Sequence, residues 1–306
     1  MRGFLAVTNP GWYERLAQKQ ESQEANFWKP SIKQLKLEIG TPFIFKLKAP
    51  HHAIAGFGYF AGFSVMPDWL AWDTFGGANG VDSLEALRAR LTDIRDHARI
   101  ERNPLGLIGC AMIAEARFFS RANWIEPPTD WKDRVQTGMT YDLSNGEGER
   151  IWLECLARGG GTSEAAAVVR RDSQRYGPPV VHTPRLGQSI FRIKVLDAYG
   201  RACTISKEHS LPVLEAVHIR PFSQGGEHDV ANGMSMRSDI HRLFDRGYVA
   251  VDQDLRTVVS RRLRDDFGNG RSYDDYHGRP VSVPSAERDR PSQVALEWHR
   301  THVFRG

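Results

Sequence analysis

The sequence predicts an α+β protein of two domains, and three observations carry that reading. Its 306 residues, 41% hydrophobic and 25% charged, exceed what a single core usually organises, so two cores are expected. The stretch from Leu156 to Gln188, "LARGGGTSEAAAVVRRDSQRYGPPVVHTPRLGQ", replaces periodic apolar pattern with a Gly triplet, a Pro pair and polar residues. Strand and helix patterns occur together on both sides of this break. The division that follows is a first domain over 1–155, a linker over 156–183 and a second domain over 184–306.

In the first domain, Thr41 to Val65 ("TPFIFKLKAPHHAIAGFGYFAGFSV") sets aromatic and β-branched runs on either side of a Pro-His-His turn, as a β-hairpin would. "DSLEALRARLTDIRDHARI" puts Leu84, Leu87, Leu91 and Ile94 on one face, and Asp82 with Glu85 reads as a capping box. A helix is expected there. "LGLIGCAMIAEARFF", Leu105 to Phe119, reads as a buried strand of central position. The expected architecture is a small mixed barrel or sheet with helices at its ends, and no internal repeat is present.

In the second domain, "PVLEAVHI" predicts a strand that delivers His218 at its end. "RPFSQGGEHDVANG" is punctuated by Pro221, Gly225, Gly226 and Asn232-Gly233, so a compact loop follows. "GMSM" is a short returning strand, which makes the pair a two-stranded ribbon. "RSDIHRLFDRG" then reads as a helix with Ser238 as N-cap and Gly247 as stop, anchored by Ile240, Leu243 and Phe244.

Composition narrows the function classes. No apolar run approaches the length of a membrane span, and "MRGFLAVTNPGWYERLAQKQ" lacks the pattern of an export signal, so a cytoplasmic location is the expectation. Cys110, Cys155 and Cys203 are isolated and odd in number, which argues against a disulfide framework and a CxxC zinc knuckle. Any metal must rest on His and carboxylate ligands. The formal charge of +4 is uneven: residues 170–306 hold 22 Lys and Arg against 17 Asp and Glu, and all but two of those cations are arginine. Arginine suits bidentate phosphate contacts, and on charge alone a solvated arginine-rich surface is an equally open reading of this excess.

The chemistry concentrates between Leu214 and Asp252. His241 and Asp245 are four apart on one helix and project from the same face, as two metal ligands must. Phosphodiester hydrolysis needs a water deprotonated near neutral pH and charge stabilisation at the departing oxygen. His218 is the candidate base, His241 and Asp245 the candidate metal pair, and Asn232 the residue that ties the loop through backbone hydrogen bonds. His228 is expected to be a solvent-exposed loop residue, His277 and His299 structural, and Asp229 a turn cap. Glu215, three strand residues from His218, is expected to face away from the site.

"EAVHIRPFSQGGEHDVANGMSMRSDIHRLFDRG" resembles the HNH, or ββα-metal, nuclease family, with His218, Asn232 and His241 in the signature positions. The spacings of fourteen and nine residues fit that pattern, and the ending HRLFD is similar to one particular branch. The resemblance runs from about Pro184 to Val303. It implies a ββα-metal nuclease domain and a divalent ion. Many members carry Asp, Glu or His directly before the catalytic histidine as a ligand, whereas here Val217 stands there. Asp245 takes that role in this reading. A metal with two protein ligands fills its shell with water and phosphate oxygens, which suits Mg²⁺ or Mn²⁺ better than a caged zinc.

In the first domain, "GFGYFAGFSVMPDWLAWDTFGGANGVDSLEALRARLTDIR" resembles the EVE and SRA-type modules of the PUA-like superfamily, which grip a nucleotide rotated out of the duplex. The resemblance covers residues 1–155 and implies a PUA-like β-barrel with helices. Trp28, Tyr59 and Trp72 are the candidate base cage, with Asp73 and Asn79 as edge readers. A 5-methyl group adds apolar contact in an aromatic slot, and Asp or Asn can accept from the exocyclic amine of cytosine. Lys46, Lys48, His51 and His52 are the expected phosphate contacts.

Together the resemblances imply a modification-dependent restriction endonuclease acting on double-stranded DNA that carries 5-methylcytosine or 5-hydroxymethylcytosine. A homodimer would let a module that nicks one strand cut both. Two alternatives stay open from sequence: an HNH nuclease whose first domain binds RNA or another modification, and a nucleic-acid-binding protein without catalysis.

Overall fold

The computed structural model describes residues 1–18, 23–101, 103–132, 135–159, 184–268 and 271–306. They form two compact units, Met1–Leu186 and Gly187–Gly306. Most of the linker predicted over 156–183 lies outside the described residues; its first residues belong to a helix that continues to Arg158.

The first unit is built on one six-stranded sheet. In chain order its strands are β1 (Arg2–Thr8), β2 (Ala25–Lys29), β3 (Pro42–Leu47), β4 (Ile54–Pro67), β5 (Leu107–Phe118) and β6 (Gly138–Asp142), arranged β2-β5-β4-β3-β1-β6. The hairpin expected over 41–65 is the antiparallel pair β3 and β4, and β5 is an interior strand paired on both sides. β1 and β3 run parallel, the other pairs antiparallel. The barrel expected from sequence is realised as a sheet whose outer strands β2 and β6 share no ladder among the described residues. Register shifts at Phe45/Lys46, Phe57/Tyr59 and Phe60/Gly62 bend it.

Both sheet faces are buried, and side-chain alternation divides them. Phe4 and Ala6 of β1 join Phe43, Phe45 and Leu47 of β3 in one apolar cluster with Trp12, Tyr13 and Leu16 of helix α1 (Pro10–Gln18). Leu5 and Ile44, the residues between, join the opposite cluster with Ile151, Trp152 and Cys155. The covered strands therefore read as continuous apolar runs rather than alternating ones. Helix α2 (Asp68–Phe75) and helix α3 (Leu84–Ala98) follow β4, and α4 (Gly146–Arg158) follows β6.

The start of α3 differs in detail from the expectation. Ser83, not Asp82, is the N-cap and accepts from the Ala86 amide at 3.1 Å; Asp82 pairs with Arg15 instead. Leu87 and Leu91 are buried, whereas Ile94 at the helix's far end is 40% exposed.

The second unit packs α5 (Gln188–Ala198), the ribbon of β7 (Leu214–His218) and β8 (Gly233–Arg237), α6 (Ser238–Asp245), the hairpin of β9 (Val249–Val251) and β10 (Thr257–Val259), and α9 (Gln293–His302) around one core. Short helices α7 (Arg262–Phe267) and α8 (Arg271–Asp274) lie between β10 and α9. The predicted strand, loop, strand and helix are thus all present. Ser238 is the first helical residue rather than the N-cap, because Arg237 already has extended dihedrals and closes β8. Gly247 adopts φ +78, where a Cβ would meet the Val303 carbonyl at 2.0 Å, so the helix stop needs glycine.

Candidate active site

The β7, β8 and α6 elements bring His218, Asn232, His241 and Asp245 into one region of the second unit. His218 ends β7 and pairs across the ribbon with Gly233. Its ring stacks on Phe191 of α5 at 4.0 Å between centroids and 13° between planes. A Cβ on Gly233 would lie 3.0 Å from that same Phe191 ring and 2.4 Å from Val195, so the glycine lets α5 approach the ribbon. Burial pushes the His218 imidazole down to about 4, helped by nearby His228 and His241. The ring is consequently neutral at pH 7, as a base must be.

Asn232 is 8% exposed and ties the loop as expected. Its Nδ2 donates to the carbonyls of Arg220 (2.9 Å) and Glu227 (3.0 Å), and its Oδ1 accepts from the Arg220 amide at 3.0 Å. Its own carbonyl accepts from the Ile219 amide, next to His218, at 2.9 Å. Gly226 is needed in the same place, since a Cβ there would stand 1.9 Å from the Arg220 carbonyl oxygen. Asp229 caps the turn before Asn232, accepting from the Ala231 amide at 3.1 Å.

On α6, His241 Nε2 lies 3.1 Å from Asp245 Oδ2. The other ring nitrogen, Nδ1, is 2.5 Å from Glu215 Oε2. This corrects the expectation that Glu215 faces away. Alternation does separate Glu215 from His218, but the helix carrying His241 packs against the Glu215 side, so the site draws on both strand faces. Burial of His241 favours its neutral form, yet the hydrogen bonds to Asp245 and Glu215 outweigh it and raise its pKa. Val217, the residue that departs from the wider pattern, is fully buried in the core.

A divalent ion fits the donor set at His241 and Asp245. One imidazole nitrogen and one carboxylate oxygen sit side by side, and the Asp245 side chain is 56% exposed, open to an ion shared with a phosphate. Glu215 would then orient the ligand through its second nitrogen, as carboxylates commonly do behind a metal-bound histidine. Among the described residues no group of three or more His, Cys, Asp or Glu is placed to cage a metal.

His228 also departs from expectation. Far from standing free in solvent, its Nδ1 is 2.9 Å from His218 Nε2, and its ring stacks on Phe222 at 4.9 Å. His277 and His299 are structural: His277 Nδ1 accepts from the Val259 amide at 3.1 Å, and His299 is 2% exposed, stacked on Phe244 with Nε2 3.0 Å from the Phe244 carbonyl.

The first unit holds a cavity of about 1090 Å³, at the upper end of ordinary small-molecule sites. Aromatic rings of Phe4, Trp12, Phe27, Trp28, Phe63 and Trp131 line it, and so do Lys29, Lys33, Lys46, Lys48 and Arg90, with Asp93 the one acid among the described residues. Lys46 is 4% exposed and lies 4.6 Å over the Trp131 ring. Burial and the charge of Lys33 push the Lys29 ammonium pKa down.

Only Trp28 of the five predicted pocket residues lines this cavity. Tyr59 packs towards the opposite sheet face with Phe57 and Trp152. Trp72 and Asp73 lie on α2, outside the lining. Asn79 is fully buried and its amide is occupied: Nδ2 donates to Ala71 and Gly76 carbonyls, and Oδ1 accepts from Asn26. Its backbone carbonyl holds the Trp28 indole N–H at 2.8 Å. Of the expected phosphate contacts, Lys46, Lys48 and His52 line the cavity, whereas His51 packs on Trp124. A lysine inside the aromatic run "FIFKLK" was the available signal for the cationic lining.

Residues 203–252 match the family model described as HNH endonuclease, a span that contains His218, Asn232, His241 and Asp245. The second unit carries an HNH endonuclease domain. Comparison with curated proteins gives no match. Among solved structures, an ASCH protein from Zymomonas mobilis is 12% identical, with a TM-score of 0.30 over 49% of this chain and 93% of that one. A mutant of the same protein gives 9%, 0.33, 49% and 94%. A structure described as the modification-dependent TagI restriction endonuclease is 14% identical, with a TM-score of 0.31 over 87% of this chain and 62% of that one.

Proposed function

We propose that the protein is a modification-dependent DNA endonuclease, in which the first unit receives a 5-methyl- or 5-hydroxymethylcytosine turned out of the duplex and the HNH domain of the second unit hydrolyses a phosphodiester nearby. The observation that carries the nuclease half is the convergence of neutral His218, the Asn232-tied loop and the His241/Asp245 pair. The reader half rests on a large cavity that combines aromatic walls with, among the described residues, five cations and one acid. Aromatic walls stack a base, and the cations favour the phosphates attached to it.

In the chemical step His218 takes the proton of the attacking water. Asn232 fixes the backbone on both sides of the loop that follows His218, so the base keeps its aim. His241 and Asp245 would hold a divalent ion, whose chemistry is the stabilisation of negative charge on the phosphate and the departing 3′ oxygen. Glu215 keeps His241 oriented. The arginine-rich composition of the second domain supplies non-specific attraction for DNA.

The test uses two preparations of one plasmid, one methylated at cytosine and one unmethylated, incubated with the enzyme and Mg²⁺ or Mn²⁺. Preferential cutting of the methylated preparation is expected. Equal cutting of both removes the reader function while leaving the nuclease.

A further inference from the structure

We propose that His228 is a positioning residue for His218: it fixes the His218 tautomer so that Nδ1 keeps the lone pair that accepts the proton of water. This rests on the reading of His218 as the general base. The contact between His218 Nε2 and His228 Nδ1 is 2.9 Å, a hydrogen bond that holds one proton. If His218 Nε2 donates, its Nδ1 is bare and basic. If His228 Nδ1 donates instead, the neutral His218 ring carries its proton on Nδ1 and has no lone pair left for water. One geometry therefore contains an active and an inactive protonation pattern.

Several observations favour the active one. With His218 donating, both rings are in the Nε2–H form, which is the ordinary preference of a free histidine side chain. His228 is half-buried in its loop, and its Nε2–H is on the side of the ring away from His218. The two rings are also held in place: Phe191 stacks on His218 and Phe222 stacks on His228 at 10° between planes. The Phe222 ring is 65% exposed, so its position over His228 is not forced by general burial.

The step balances within the site. As the water oxygen bonds to phosphorus, its proton passes to His218 Nδ1, and the P–O bond breaks with its electron pair leaving on the 3′ oxygen. The imidazolium so formed still donates Nε2–H to the lone pair of His228, which spreads the new charge.

Two variants and one spectroscopic measurement test this. His228→Phe keeps a flat ring against Phe222 and removes the acceptor, whereas His228→Gln returns an acceptor oxygen. His228→Phe is expected to lower kcat roughly 10²-fold, the lower end of what general-base catalysis contributes, with KM for DNA unchanged. His228→Gln restores most of that loss. Histidine-selective ¹⁵N spectra, with His218 assigned by a His218→Asn variant, should show protonated Nε2 and bare Nδ1 in the wild type and a tautomer mixture in His228→Phe. A wild-type His218 protonated at Nδ1, or His228→Phe cutting at the wild-type rate, overturns the proposal. Equal loss in both His228 variants with the tautomer unchanged marks a purely structural role and also overturns it. If His218→Ala itself cuts normally, the base reading fails instead, whatever the tautomer.

Discussion

Replacing Asn232 with alanine removes three hydrogen bonds from a residue that is 8% exposed: two donated to the carbonyls of Arg220 and Glu227 and one accepted from the Arg220 amide. A hydrogen bond of this kind contributes about 1 kcal/mol net, and a buried group left without a partner costs about 1–3 kcal/mol. Two of the three belong to Arg220 and relax together, so the loop should lose about 2–3 kcal/mol of local stability. At about 1.4 kcal/mol per factor of ten, that corresponds to opening roughly 30- to 150-fold more often. Hydrogen–deuterium exchange reads this directly at the amides of Ile219 and Gly226, which donate to Asn232 O (2.9 Å) and Pro221 O (3.0 Å). Asn232→Asp sharpens the test. It keeps the acceptor for the Arg220 amide but turns an oxygen towards two carbonyl oxygens, so it should open at least as readily as alanine. Cleavage falls in both variants because His218 and His228 flank the loosened loop. Wild-type exchange in Asn232→Ala would refute the claim that this side chain holds the loop.

Other expectations follow from the same site and from the first unit's cavity. His218→Ala should lower cleavage by about 10²- to 10⁴-fold while DNA binding without metal, measured by gel shift, stays intact; retained cutting means another group is the base. Asp245→Ala should raise the Mg²⁺ concentration needed for half-maximal cutting, and Glu215→Gln should do so by roughly 10- to 100-fold through misoriented His241; superimposable titrations would remove either assignment. Burial holds His299 at about 4, below the usual histidine value of about 6.5, so its stabilising contribution is complete above pH 6.5 and fades as pH falls towards 4. At pH 5 that loss is about 2 kcal/mol, and a His299→Gln variant should show a correspondingly flatter fall of unfolding midpoint between pH 7 and 5. Trp28→Ala and Lys46→Met should reduce the preference for methylated over unmethylated plasmid without changing the cutting of denatured DNA; unchanged preference would separate the cavity from recognition.

The second unit was the more legible in sequence, and the reason is local chemistry. His218 ends β7, Asn232 closes the turn before β8 and His241 lies on α6, so each belongs to an element written in a few neighbouring residues and their spacing carries them. Glu215 and His228 escaped because strand alternation and loop composition say where a residue starts, not how far its side chain reaches. Their partners, His241 and His218, are 26 and 10 residues away. In the first unit both sheet faces are buried, so aromatic residues do not distinguish a wall from a core. Tyr59 and Trp28 look alike in the sequence, yet one packs against Trp152 and the other borders the cavity. Asn79 misled for a different reason: a buried amide spends its hydrogen bonds on the backbone around it and has none left for a ligand.

Phe191 joins two roles that are usually kept apart. It is 1% exposed, belongs to the core of the second unit, and carries the His218 ring on its face. The base of the proposed mechanism thus has no flexible mounting of its own, and any repacking of the helix below reaches it within one van der Waals contact. Substitutions chosen only to tune the thermal robustness of this small domain will also register in turnover, which makes the rate of DNA cutting a gauge of how well its interior is assembled.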